Sequence, residues 1–251
     1  MRALITGASS GIGYALSEEL LKRGYDLLTV SRTEGLLPKL RKKYPEREIL
    51  FLSHDLSKRE ECEKLLRETE GQDFDLFLNN AGYGDIGRLD ETSLDKEINI
   101  VEINDIATLI LGKTFLLRFR KREKGRLLFV ASAASFGPAP YMSLYYASKV
   151  FVYYLVHGYY RELKDEKSPV TVSLLCPGPV KTNFEKRANA HFTISSLSPE
   201  KVASYAIPRF LKGKMEIVPG WTMKFAHLFS HFVPKRVISK ALNKSAEIGT
   251  K

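Results

Sequence analysis

Cysteine is nearly absent from this sequence: Cys62 and Cys176 are the only two in 251 residues. Cys62 falls in what reads as a solvated helix and Cys176 at the end of a buried strand, which argues against a disulfide, and a metal site lacks ligands. That usage fits a reducing compartment. No apolar run approaches the ~18 residues of a membrane-spanning helix, and only Met1 and Arg2 precede the first apolar strand. The expectation is a cytoplasmic protein without an export signal. Internal repeats and low-complexity tracts are also missing, which excludes solenoids and long disordered arms. Gln72 is the only glutamine, a scarcity that, beside abundant Lys, Arg and Glu, suits a heat-adapted chain.

What is present is a composition of 44% apolar and 27% charged residues, enough for one large α/β domain around a sizeable core. The net charge of +10 raises the question of nucleic acid. Most cations, however, are interleaved with acids, as in Lys58-Arg59-Glu60-Glu61, and read as solvated helix faces, so no nucleic-acid partner is expected. Trp221–Lys251 differs, with six Lys/Arg against a single Glu. The chain is therefore divided into a core of residues 1–220 and a basic, amphipathic extension of residues 221–251 packing on or beside it.

Short apolar runs alternate with helical periodicity along that core. Strands are expected at Ala3–Thr6, Asp26–Ser31, Glu48–Ser53, Phe74–Asn79, Arg126–Ser132, Val170–Cys176 and Met215–Val218. Helices are expected at Tyr14–Arg23, Leu36–Tyr44, Lys58–Thr69, Leu94–Lys121, Tyr145–Lys164 and Pro199–Lys212. The strands are continuously apolar, as when helices cover both faces of a parallel sheet. The fold class is a single-domain, doubly wound α/β sheet of Rossmann type, with its ligand beyond the carboxyl ends of the strands.

The residues after the strands carry chemistry. TGASSGIG follows the first strand and brings Gly7, Ser9, Ser10, Gly11, Ile12 and Gly13 to the start of a helix. Glycines there let the backbone approach a pyrophosphate, and the helix N-terminus offers unpaired N–H groups and a positive dipole end. After the second strand an acidic residue would accept from ribose hydroxyls and repel a 2′-phosphate. Ser31 and Arg32 stand there instead, a hydroxyl and a guanidinium suited to a phosphate, so NADP(H) is the expected cofactor.

Six motifs in order, TGASSGIG, Asp55-Leu56, Asn79-Asn80-Ala81-Gly82, Asn104, Ser132 with YYASK, and PGPVKT from Pro177, resemble the classical short-chain dehydrogenase/reductase family from Gly7 to about Val218. The resemblance implies that Asp55 and Leu56 flank the adenine, that Asn80 and Gly82 line the adenine-side ribose, and that Val180 and Thr182 hold the carboxamide. Asn79 is expected to brace strands rather than to touch a ligand. It further implies a catalytic set of Asn104, Ser132, Tyr145 and Lys149: among the tyrosines of YMSLYYASK, only Tyr145 has a lysine four residues on and a serine thirteen back. Tyr141, Tyr146 and Ser135 fail that spacing and are read as structural or substrate-facing.

A helix places Tyr145 and Lys149 on one face, and an ammonium there favours the phenolate. Tyr145 is then the proton donor to a carbonyl or the base toward an alcohol, and Ser132 holds the substrate oxygen; the resemblance further implies that Lys149 also reaches the nicotinamide ribose and that Asn104 holds a relay water. The implied activity is NADP(H)-dependent interconversion of a carbonyl and an alcohol. Two other readings use the same residues: an epimerase or dehydratase of nucleotide-sugars, and a non-catalytic nucleotide sensor.

Specificity is assigned to the loops Tyr83–Ser93, Ala133–Leu144 and Lys181–Ser198. Phe136, Tyr141, Met142, Phe184 and Phe192 suit a lipophilic substrate, and Glu185 beside Lys186, Arg187 and His191 argues against recognition of an acid. Two helical stretches, IVEINDIATLILGKTFLLRF and FVYYLVHGYY, are apolar around much of their circumference. By the resemblance they pack on a second subunit in a homodimer or homotetramer. The extension from Trp221 has three readings: closing the substrate pocket, supporting assembly and, least favoured, lying on an anionic membrane surface.

Overall fold

A computed structural model describes residues 1–182, 196–230 and 232–243. Seven parallel strands, β1 (Arg2–Thr6), β2 (Asp26–Ser31), β3 (Ile49–Ser53), β4 (Leu76–Asn79), β5 (Arg126–Val130), β6 (Thr171–Leu175) and β7 (Glu216–Ile217), form one sheet in the order β3-β2-β1-β4-β5-β6-β7. The order reverses between β1 and β4, and the crevice beyond their carboxyl ends is where a doubly wound sheet takes its ligand.

The register explains why the strands read as unbroken apolar runs. Leu4 pairs with Leu28 and Phe77, Phe77 with Leu127, and Leu127 with Val172, and this row faces one core. The next row, Ile5 with Leu78 and Leu78 with Leu128, faces the other. Each buried Leu or Phe contributes about 1.5–3 kcal/mol relative to exposure, so both faces demand helices.

On one face lie α1 (Gly11–Leu21), α2 (Leu37–Lys43) and α7 (Pro199–Leu211), inserting Leu16, Leu20, Leu40, Val202 and Phe210. On the other lie α3 (Arg59–Glu68), α5 (Ala107–Lys121) and α6 (Ser143–Asp165), inserting Leu65, Phe115, Phe119, Val152 and Val156. Phe77 and Phe115 stack with centroids 4.3 Å apart at the centre of this second core. Ser198 starts α7 by accepting from the Lys201 N–H, with Pro199 in the first turn.

Three features differ from the sequence reading. The single helix expected over Leu94–Lys121 is α4 (Leu94–Val101) joined to α5 through a π turn at Glu102–Ile106, which the side-chain period does not register. Cys62 is not on a solvated face: it is 1% exposed beside Leu65, on the apolar stripe of α3. The extension forms two helices, α8 (Trp221–Ser230) and α9 (Lys235–Asn243), laid across the carboxyl end of the sheet. No helix among the described residues is long and apolar enough to cross a membrane.

Candidate active site

A cavity of about 980 Å³ opens at the switch point between β1 and β4. Every residue expected to hold the dinucleotide lines it: Gly7, Ser9, Ser10, Gly11, Ile12, Gly13, Ser31, Arg32, Asp55, Leu56, Asn80, Gly82, Val180 and Thr182. Ser132, Tyr145 and Lys149 line it as well; Asn104 lies behind the wall.

At the glycine turn, a Cβ on Gly13 would sit 2.2 Å from the Gly7 carbonyl oxygen, so only glycine lets helix and strand approach this closely. Ser10, the residue before α1, makes no side-chain cap, which leaves the first-turn amides directed at the cavity for an anion. The Asn80 side chain braces this turn: its Nδ2 donates to the carbonyls of Thr6 at 2.9 Å and Gly7 at 3.2 Å. Asn79 braces β4 against α5 rather than against a neighbouring strand, by donating to the Thr108 carbonyl at 3.0 Å.

The end of the cavity expected to take the adenine is built from the ends of β2 and β3. Arg32 is exposed at the cavity rim, and Glu34, two residues on, pairs with Arg41 at 2.8 Å. Asp55 accepts from the Ser57 hydroxyl at 2.9 Å. The preceding His54 is buried between two carboxylates, with Nδ1 2.8 Å from Glu61 and Nε2 2.8 Å from Glu68. Satisfying both takes donation from both ring nitrogens, and it ties the Asp55 loop to α3. Sequence reading missed His54; the only signal was two Glu seven residues apart on one helix.

At the chemical end, Ser132 leaves β5 and caps a short 3₁₀ turn, accepting from the Ala134 N–H at 3.1 Å. Ser135, three residues on, is structural: its hydroxyl donates to the Lys149 carbonyl at 2.8 Å. Tyr145 and Lys149 occupy the first turns of α6, with the Lys149 ammonium 5.8 Å from the centroid of the Tyr145 ring. Lys149 is buried and donates to the Val130 carbonyl at 3.2 Å.

Burial pushes the Lys149 ammonium down to about 8, opposed by the negative charge of Asp105. Burial likewise pushes Tyr145 up to about 12, against a hydrogen bond from Ser132 that favours the phenolate. The direction is upward because burial outweighs the Ser132 hydrogen bond. At neutral pH the arrangement is a neutral phenol beside an ammonium.

Asn104 sits in the π turn, fully buried. Its Oδ1 accepts from the Tyr83 N–H at 3.0 Å, and its Nδ2 donates to the Tyr83 carbonyl and to Ser148 Oγ, both at 2.9 Å. π turns of this kind recur at functional sites because they re-aim a side chain. Asp105 follows it, with Oδ1 buried and without a hydrogen-bond partner among the described residues; burial pushes this carboxyl up to about 6, while Lys149 pulls it down.

The far wall is apolar. Phe136 and Met142 belong to it as expected, whereas Tyr141 faces a smaller neighbouring cleft, and Phe184 and Phe192 lie outside the described residues. Lys186, Arg187 and His191 lie outside them too. The rest comes from the extension, with Met223, Ala226, Phe229, Val233, Val237 and Ile238. His227 pins α8 in place: its ring stacks on Phe136 with centroids 4.4 Å apart, and its Nε2 lies 3.2 Å from the Tyr153 hydroxyl and 3.8 Å from Glu216. Burial pushes Glu216 up, but hydrogen bonds from Tyr153 and His157 more than offset it and hold the carboxyl below its ordinary range. The extension thus forms part of the cavity wall, the placement that the pocket-closing reading expects.

A family model described as short chain dehydrogenase matches residues 1–192. The chain is 32% identical over 202 residues to the very-long-chain 3-oxoacyl-CoA reductase of Anas platyrhynchos, covering 76% of this chain and 63% of that protein, so it spans less than two thirds of that relative's length. It is 29% identical over 255 residues to the 17-beta-hydroxysteroid dehydrogenase type 3 of Danio rerio, covering 93% and 83% respectively. Among solved structures it is similar to a short-chain dehydrogenase from Sphingobium yanoikuyae in complex with NADPH, with a TM-score of 0.82, 25% identity, and 92% and 93% of the two chains covered.

Proposed function

This chain belongs to the short-chain dehydrogenase family, and from that premise we propose that it reduces a lipophilic ketone to a secondary alcohol at the expense of NADPH. The observation that carries the reading is the pairing of Tyr145 and Lys149 on one face of α6, next to Ser132 and above an uncapped helix N-terminus. The residues fit a dinucleotide: Gly13 lets α1 pack close on the Gly7 turn, the uncapped α1 amides suit a pyrophosphate, Arg32 offers a phosphate a guanidinium, and Val180 and Thr182 line the same cavity, where the family resemblance puts the nicotinamide carboxamide. NADPH, when bound, supplies the hydride that the carbonyl carbon receives.

The chain's own residues do the rest. The Ser132 and Tyr145 side chains hydrogen-bond each other, so a carbonyl oxygen entering between them would be held by two hydroxyl donors, and charge developing on it would be stabilised in place. The Tyr145 phenol, protonated well past neutrality, delivers the proton as the carbon takes hydride, which completes the alcohol. The Lys149 ammonium, charged below about pH 8, stabilises the phenolate left behind. This charge pattern at neutral pH suits reduction over oxidation.

The substrate class rests on the apolar wall of Phe136, Met142, Met223, Phe229 and Ile238 and on the two curated relatives, which are named for 3-oxoacyl thioesters and hydroxysteroids. A homodimer or homotetramer belongs to the same reading, supported by exposed Ile98 and Leu117 on α4 and α5 and Phe151 and Tyr154 on α6. The test is NADPH consumption, followed at the reduced-nicotinamide absorbance, with 3-oxoacyl thioesters, bulky ring ketones, small aldehydes and sugars. Turnover of the lipophilic ketones is expected. Binding of NADPH without oxidation by any of them would favour a nucleotide sensor instead.

A further inference from the structure

The extension carries more apolar surface than the cavity uses. Met223, Ala226, Ser230 and Val233 point one face of α8 and the turn after it at the cavity. Trp221, Phe225, Leu228 and Phe232 recur every three or four residues and take the opposite side. Trp221 is 73% and Phe232 78% exposed, and no residue of α8 is buried. A contiguous exposed patch of such side chains marks an interaction surface.

Its charge is of one sign. Lys224, Arg236 and Lys240 are exposed beside the stripe, Lys235 donates back to the Phe136 and Ser230 carbonyls, and no Asp or Glu occurs between Trp221 and Asn243. Phe229 and Val237 line the cavity while remaining 58% and 55% exposed, so the cavity wall and the outer patch are one continuous apolar surface.

We propose that the outer face of α8 and α9 docks on an anionic membrane surface, placing the mouth of the catalytic cavity against the lipid. The apolar stripe would enter the headgroup boundary with Trp221 as an interfacial anchor, while the cations meet lipid phosphates. Helices of 10 and 9 residues are too short to span a bilayer and lie in its plane. Charge argues against a second copy as the occupant: a two-fold contact would bring the cations of both chains together with no carboxylate in either segment to pair them. Docking stands independently of the reductase reading; only the benefit, direct passage of a lipophilic ketone from lipid to Tyr145, rests on it.

The experiment is flotation of the full chain with vesicles of phosphatidylcholine alone and of phosphatidylcholine with added phosphatidylglycerol, without substrate or cofactor. Wild type is compared with the Trp221→Ser/Phe225→Ser/Phe232→Ser triple variant and with Arg236→Glu/Lys240→Glu, none of which lines the cavity; circular dichroism melts report folding. Expected are flotation of wild type with the anionic vesicles, reduced by high salt, and a loss on the order of tenfold or more in each variant. Should the triple variant fail to fold, the charge-reversal variant decides alone. Wild type remaining at the bottom with both vesicles, or floating no better than folded variants, overturns the proposal. So does a wild-type dimer in lipid-free buffer that the triple variant splits, with no vesicle binding by either; the face is then an interface between copies.

Discussion

Asn104 donates from Nδ2 to Ser148 Oγ at 2.9 Å, joining the π turn to α6 one residue ahead of Lys149. Both residues are buried, and the same side chain holds both backbone polar groups of Tyr83. The contact fixes the catalytic helix against the wall that carries Gly82.

Replacing Asn104 by Ala removes the partner of both backbone polar groups of half-buried Tyr83, a loss of about 2–3 kcal/mol in all, while Ser148 Oγ keeps its bond to the Tyr145 carbonyl. For a chain of this size the melting temperature should fall by roughly 4–10 °C, and kcat should fall with it as Lys149 loses its support. Differential scanning calorimetry and steady-state kinetics check the pair. A variant that melts with wild type would show that these hydrogen bonds are dispensable.

The pH dependence follows from Lys149. With burial placing its ammonium at about 8, the charge is present below that pH and lost above it. kcat/KM for ketone reduction should therefore hold through neutrality and decline as pH rises through about 8. Asp105 raises the Lys149 value by its negative charge, so Asp105→Asn should move the falling limb to lower pH, and Asp105→Glu should restore it. A limb that stays in place in Asp105→Asn would disconnect the two groups.

Arg32 should decide between the two nicotinamide cofactors. A charge-assisted guanidinium–phosphate contact is worth about 1.5–3 kcal/mol. Arg32→Ala should thus raise the dissociation constant for NADPH roughly 10–100-fold and leave that for NADH nearly unchanged. Nicotinamide fluorescence titration reads both. An equal effect on the two would place Arg32 away from the 2′-phosphate.

Much of this frame was legible in the residues. Continuous apolar runs such as LLFV announced a sheet covered on both faces, and TGASSGIG and YYASK, placed after strands, announced residues that line one cavity. The π turn was not legible, since one extra residue in the hydrogen-bond ladder leaves the apolar spacing of Ile100–Phe119 intact. Cys62 was misplaced because helical spacing within a charge-rich stretch does not reveal which face is covered. The upward shift of Tyr145 was not legible either: spacing shows that an ammonium is near, whereas burial of the phenol is set by tertiary packing. The course of α8 and α9 over the cavity is tertiary information, set by contacts such as His227 on Phe136 that join residues 91 positions apart.

Gly137 tests that course. Its backbone is extended, so a side chain is tolerated locally, yet a Cβ would lie 2.6 Å from Ile238 Cγ2 in α9. Gly137→Ala should push α9 outward and raise KM for a bulky lipophilic ketone on the order of tenfold, with NADPH affinity unchanged. Unaltered KM would mean that α9 does not shape the substrate site.

The central claim is that the Tyr145 phenol delivers the proton. Tyr145→Phe removes one oxygen and preserves the ring, so the most direct measurement compares single-turnover NADPH oxidation with NADPH binding in that variant. The expected result is a rate lowered on the order of a thousandfold with a dissociation constant within about twofold of wild type. Retention of more than a few per cent of the wild-type rate would contradict the assignment.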